Sequence, residues 1–320
     1  MINKGIENKV RNGMEFGFQE FNKSKFNLEG NPIFIQNGLI KEETHFEEIF
    51  NCIREKKSFY LLAGINPYVK YHLGYKFLSQ VINYFLSNEH SKGYIIMPKR
   101  EISLMGRNED NNEETESFMN LIKNKEKLNL RDDSFEGLDE LIFYMSKRYS
   151  IQKMKKAFKL EEKDKVSKYL GIFYAIANYF IPNIENKTNF PTLVLANKKH
   201  RNLIMYANNL SNDLNLQKIS SIILKDVPGK DGSFKMSASN KKSLIYLDSI
   251  KEVFPKTITS GGWTETEQLE KGGNPERCPA LNIGKFFNGQ NTILELGEDC
   301  KKGKNCSTCK EKVLRGILKK

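Results

Sequence analysis

Two short apolar runs on either side of one helix-length amphipathic stretch constrain this chain more than any other feature. Ser58-Phe59-Tyr60-Leu61-Leu62-Ala63 is aromatic and aliphatic and is stopped by Gly64 and Pro67, the pattern of a buried strand that runs into a loop. From Leu73 to Leu86 the apolar residues fall at Leu73, Phe77, Leu78, Val81, Ile82 and Phe85, which is helical spacing. Gly93-Tyr94-Ile95-Ile96-Met97 is the next strand candidate, and strand, helix, strand in this order fit a parallel βαβ unit. Phe190 to Ala196 and Ser220 to Leu224 add two more strands. The stretches 135–158, 166–180 and 201–214 have helical character. The expected class is therefore α/β, a parallel sheet with flanking helices.

Beyond Leu247 the texture changes to Gly-rich loops (Ser260-Gly261-Gly262, Gly272-Gly273) and short helices, a smaller and mostly helical C-terminal domain with few apolar residues to tie its loops together. The expected division is an N-terminal extension over 1–56, a nucleotide-binding domain over 57–248 and the C-terminal domain over 249–320. Within the extension, 43–55 has the pattern of a short amphipathic helix. The charged segment 106–133, with Glu109, Asp110, Glu113, Glu114 and Glu116, is expected to be exposed.

Composition excludes a membrane-spanning protein and points to a polyanionic partner. A hydrophobic content of 39% and a mean hydropathy of -0.55 suit a globular chain. No stretch reaches the ~18 consecutive apolar residues of a transmembrane helix. The start Met1-Ile2-Asn3-Lys4 leads into no apolar core with a cleavage site, so the expectation is cytoplasmic, with no membrane partner. A formal charge of +12 favours nucleic acid, because each phosphate neutralised releases counterions.

Two motifs carry the chemistry. The run Val227 to Gly232 leads into Lys235-Met236-Ser237-Ala238-Ser239, and small residues around one lysine suit a loop that sets an ammonium beside phosphates. Upstream, Ala63-Gly64-Ile65-Asn66-Pro67 precedes His72-Leu73-Gly74, so the start of the expected helix offers backbone donors and an imidazole to a phosphate. A third cluster is Cys278, Cys300, Cys306 and Cys309, spaced C-x21-C-x5-C-x2-C, whereas Cys52 stands apart. In a reducing compartment such a cluster is more often a metal site than a disulfide framework, and its thiolates can close either a zinc tetrahedron or an iron-sulfur cubane.

Lys-Met-Ser-Ala-Ser with His-Leu-Gly in this order resembles the two ATP-handling motifs of class I aminoacyl-tRNA synthetases. With Ser260-Gly261-Gly262 and Gly272-Gly273-Asn274-Pro275 the chain looks like the tryptophanyl members, and its cysteines are similar to those of a subset with a four-cysteine [4Fe-4S] cluster. The resemblance implies a Rossmann-like domain that uses ATP with Mg2+ to activate an aromatic amino acid, tryptophan by the subgroup it is similar to, for transfer to tRNA by a homodimer. By match of position, His72 and Lys235 stabilise the phosphates; Gly64, Asn66, Gly74, Met236, Ser237 and Ser239 complete the ATP site; and the four clustered cysteines bind the metal.

Several positions depart from that family. Tyr75 stands where its first motif ends in a second histidine, and Asn197-Lys198-Lys199-His200-Arg201 stands where it has an acidic Asp-Gln pair. The amino-acid pocket falls on Ala175, Asn178, Lys199 and His200, with no acid where a substrate ammonium needs one. The alternative is a non-charging or re-purposed paralogue that binds tRNA, ATP or an adenylate-like ligand.

Overall fold

The computed structural model describes residues 17–104, 106, 112–260 and 264–319; Met1 to Lys4, Glu109, Asp110, Gly261 and Gly262 lie outside them. Seven strands form one sheet in the order β1-β2-β7-β6-β3-β4-β5. These are β1 (Gln19–Glu20), β2 (Ile40–Thr44), β3 (Phe59–Gly64), β4 (Ser91–Met97), β5 (Leu128–Asp132), β6 (Thr192–Ala196) and β7 (Ile219–Leu224). Strands β7, β6, β3, β4 and β5 run parallel, and β2 and β1 close one edge antiparallel.

The central strands are apolar on both faces because helices cover both. Leu61, Ala63, Leu193, Leu195 and Ile222 point into one core layer, with helix α2 (Leu73–Leu86) supplying Phe77, Val81, Ile82 and Phe85. Tyr60, Leu62, Val194, Ala196 and Ile223 point into the opposite layer, which also holds Ile172 and Ile176 of helix α6 (Val166–Ala177). The alternation along each strand is the period-2 consequence of the pleat.

Three expectations need correction or extension. Residues 18–56 do not hang off the sheet. β1 and β2 extend it, helix α1 (Phe46–Glu55) packs on it, and Phe26, Phe34 and Phe46 are buried in the first layer. Within the charged segment 106–133, β5 pairs with β4 as the far edge strand, its Arg131 held by Glu185 at 2.6 Å. The C-terminal helices are not short of apolar anchors either. Helices α8 (Pro279–Gly284), α9 (Gln290–Lys301) and α10 (Cys306–Leu318) bury Leu281, Ile283, Leu296, Val313 and Ile317 in the same layer as α2, and Phe286 meets Phe77 edge-on at 4.9 Å. Among the described residues no helix is long and apolar enough to cross a membrane.

Candidate active site

Strand order reverses beside β3: β4 and β5 lie on one side, β6 and β7 on the other. The C-terminal ends of β3 and β6 splay apart at such a point, and a crevice opens there. Here it is a cleft of about 630 Å³, lined by Gly64, Asn66, His72 and Gly74 from the first motif and by Lys235 to Ser239 from the second. The two motifs, far apart in sequence, therefore share one cavity.

His72 is the N-cap of α2, and its Nδ1 accepts a hydrogen bond from the Gly74 N–H at 3.0 Å. That bond fixes the tautomer, because with Nδ1 accepting, the neutral ring carries its proton on Nε2 and offers it as a donor. Burial, and then the nearby Lys235 ammonium, push the imidazole down to about 4, so it is neutral at physiological pH. Gly74 is required by the ring itself: a Cβ there would lie 2.7 Å from His72 Cε1. At Gly64 a Cβ would find only open space, its nearest neighbour the Ile96 carbonyl 4.0 Å away, so glycine leaves the backbone bare toward the cleft. Asn66 folds the intervening loop by accepting from the Tyr68 N–H at 2.9 Å.

Tyr75, in the place of a second histidine, is absorbed into an aromatic stack with Tyr71 at 4.3 Å and meets the backbone of Asn66 through its hydroxyl. It braces the loop and supplies no imidazole.

The loop after β7 is tightly bonded. Gly229 N–H donates to Ser233 O, Lys230 N–H to Ser243 O and Met236 N–H to Val227 O, at 2.8, 3.0 and 2.8 Å. Met236 is buried and pins the loop to the core, while the Ser237 and Ser239 hydroxyls lie 2.8 Å apart. Lys235 pairs with Asp226 at 2.9 Å, and both are about two-fifths exposed (39% and 41%). The loop also touches the C-terminal helices: Ile258 N–H donates to Lys230 O at 3.2 Å, and a Cβ on Gly232 would meet Ile258 and Pro279 at 3.5 Å.

Of the expected amino-acid pocket, Lys199 and His200 line this cleft, whereas Ala175 and Asn178 are buried in and just beyond α6. The link between them is Tyr179, whose hydroxyl is 2.8 Å from His200 Nδ1. His200 is held down at about 4 by burial, then Lys235 and Lys199. The Asn178 side-chain amide oxygen is buried with no hydrogen-bond partner among the described residues.

Sequence inspection missed the acid on this side. Glu101, in helix α3 (Lys99–Leu104) just after β4, has a buried carboxyl pushed up to about 7, first by burial and then by Asp133. Asp133 in turn caps α3, accepting from Arg100 and Glu101 N–H at 2.9 and 2.8 Å. Glu101 also helps push the Tyr179 hydroxyl well above its usual range. A hydrogen bond therefore links the cleft residue His200 to Tyr179, and Glu101 acts on the Tyr179 hydroxyl electrostatically from behind it. The sequence signal was its position at the C-terminal end of a strand beside the reversal of strand order.

The four clustered cysteines line one chamber of about 40 Å³ between α8, α9 and α10. Burial raises Cys278, Cys300 and Cys309, the last to about 12, with the neighbouring thiols adding to the shift. The Ser260 hydroxyl sits 3.9 Å from Cys300 Sγ and accepts from the Asn274 N–H. Among the described residues no three His, Cys, Asp or Glu side chains stand in ready-made ligating geometry. The donor set, four thiols lining one chamber, fits a thiophilic metal.

No family model matches the chain. It is 34% identical over 157 residues to the tryptophan–tRNA ligase of Pyrobaculum aerophilum, a match covering 46% of this chain and 42% of that protein. The chain thus spans less than half the length of the first curated relatives it matches. A longer match, 21% identical over 312 residues, covers 89% of the chain and 82% of the tryptophan–tRNA ligase of Methanocaldococcus jannaschii. The fold is that of the tryptophanyl-tRNA synthetase of Aeropyrum pernix, with a TM-score of 0.83 at 19% identity over 98% of this chain and 91% of that one.

Proposed function

We propose, from a fold shared with tryptophanyl-tRNA synthetases, that this chain activates an aromatic amino acid, tryptophan, with ATP and transfers it to tRNA. The convergence of His72 and Lys235 on one cleft carries the proposal. Joining a carboxylate to the α-phosphate with loss of pyrophosphate needs two anions held together and donors aimed at the charge that develops. His72 offers a neutral Nε2–H and Lys235 an ammonium, which exchanges the Asp226 carboxylate for phosphate. The Mg2+ arrives with ATP. Glu101 does not line the cleft; it lies behind Tyr179 and His200 and is proposed to tune their polarity toward the bound amino acid rather than to meet its ammonium.

A second reading, a non-charging paralogue that binds ATP, tRNA or an adenylate-like ligand, is favoured by Lys199 and His200 beside Lys235. Amino-acid-dependent exchange of pyrophosphate into ATP separates the two. Exchange with tryptophan is expected, and none with any amino acid would leave only the second reading.

Glu101 makes a pH test possible. Its folded pKa is raised to about 7 from 4.5, so its contribution to stability is complete below about 4.5 and is lost as pH rises through 7. Glu101→Gln removes that loss. Relative to wild type, it is expected to gain on the order of 3 kcal/mol at pH 8 compared with pH 4, and to raise the KM for tryptophan. Parallel stability curves across that range would place the carboxyl in water.

The cysteine chamber is proposed to hold a metal centre, iron-sulfur in kind on the resemblance, with Cys278, Cys300, Cys306 and Cys309 as ligands. When bound, such a centre supplies a structural tie between α8, α9 and α10. Purified protein is expected to be brown and to lose iron and colour in Cys306→Ala; a colourless protein with one zinc would turn the assignment to zinc. Self-association as a homodimer belongs to the same proposal, carried by exposed Phe143, Ile151 and Val166 on the helices over the second core layer. Sedimentation as a monomer would remove it.

A further inference from the structure

Phe234 stands immediately before Lys235 with 98% of its surface in water, the most exposed large apolar side chain among those described. A scattered exposed apolar residue is ordinary on a protein surface. This one rides on a pinned loop: Ser233 N–H and hydroxyl both bond to Asp231 at 3.1 and 2.6 Å, Asn240 donates to the same carboxylate at 3.0 Å, and Met236 anchors the far side. The ring is held outward by a frame that is otherwise satisfied.

The segment that carries it, from Lys225 to Lys242, is rich in lysine. Of the acids in the loop, Asp226 is taken by Lys235 and Asp231 by Ser233 and Asn240. Lys225, Lys230, Lys241 and Lys242 have no carboxylate within ion-pair distance among the described residues. An aromatic face offered to solvent among unpaired ammonium groups suits a single nucleic-acid strand: bases stack on the ring and phosphates meet the lysines. Lys225 lines the nucleotide cleft itself, whereas Phe234, Lys230, Lys241 and Lys242 do not, so ATP does not account for those four.

We propose that Phe234 is a stacking platform for the single-stranded end of an RNA, with Lys225, Lys230, Lys241 and Lys242 holding its backbone at the mouth of the nucleotide cleft. The inference rests on the proposed function and names the contact by which RNA approaches that site. Phe234 is a positioning residue, acting on the RNA rather than on the reacting atoms.

The test uses the full chain, a labelled single-stranded RNA of about eight nucleotides and a blunt RNA duplex of matched charge. Phe234→Ala is expected to weaken single-strand binding by about fivefold or more, the scale of one lost base–aromatic stack. Phe234→Trp should restore it. Duplex binding and tryptophan-dependent pyrophosphate exchange should stay unchanged in Phe234→Ala. Lys241→Glu with Lys242→Glu should weaken both RNAs and flatten the dependence on salt. Single-strand binding as tight in Phe234→Ala as in wild type would overturn the inference, as would a raised KM for ATP, which would place the ring on adenine. The proposed function fails separately: wild type without exchange, but with Phe234-dependent RNA binding, would sink charging and keep the platform.

Discussion

Lys235→Ala is expected to lower amino-acid-dependent pyrophosphate exchange by about 100- to 1,000-fold, the cost of removing one donor aimed at developing charge in a water-poor site. Among the described residues its ammonium is the only one lining the cleft that is held by an ion pair, to Asp226, and it is close enough to lower the pKa of both His72 and His200. Because that pair is about two-fifths exposed, it is a weak latch, worth roughly 0–1 kcal/mol. Asp226→Asn should therefore lower the KM for ATP by no more than about fivefold. Combining Asp226→Ala with Lys235→Ala should do no further harm, since the carboxylate has nothing left to restrain. Full exchange in Lys235→Ala would remove this ammonium from the mechanism.

Gly74→Ala is the second large effect, and it comes without touching a functional group. The added methyl would sit 2.7 Å from Cε1 and 3.0 Å from Nδ1 of His72, so the ring must swing and its bond to the Gly74 N–H is lost. A displacement of about 1 Å in a catalytic group can cost about 100-fold. Exchange in Gly74→Ala should fall to the level of His72→Ala. Thermal stability should move little, because alanine in the first turn gains up to about 1 kcal/mol over glycine against the local strain. A Gly74→Ala protein with wild-type exchange would show that the orientation of the imidazole is immaterial.

What could be inferred from the residues follows burial. β3 and β6 are near-continuous apolar runs, and β4 and β7 are apolar in their second halves, because both faces are covered there, and the amphipathic stripe of α2 faces the core over its whole length. β5 (Leu-Asn-Leu-Arg-Asp) escaped because an edge strand tolerates charge, and β2 (Ile-Lys-Glu-Glu-Thr), which lies between β1 and β7, escaped because its buried Glu43 is satisfied locally by the Gln19 side chain and the Phe46 N–H, which composition does not reveal. His72 and Lys235 announced themselves through small neighbours that let a backbone approach phosphate. Glu101 did not, because Lys99-Arg100-Glu101 looks like a solvated charged run. Only the packing of α3 against α6 and the cap from Asp133 put its carboxyl indoors. The cysteines were visible as a set, but their meeting in one chamber depends on α8, α9 and α10 sharing a core with α2.

The reversal of strand order has a consequence for how the chain is made. His72 and Lys235 lie about half the chain length apart, and the cleft exists only once β6 and β7 have docked beside β3, a late and entropically costly closure. On the ribosome, a growing chain that has released α2 but not the loop after β7 has no nucleotide site to fill. If the proposed function holds, ATP would select finished molecules and draw the last-docked part into place by mass action, by about 2.7 kcal/mol at a hundredfold excess over its Kd. Protease resistance gained on adding ATP should accordingly appear first between β7 and α8.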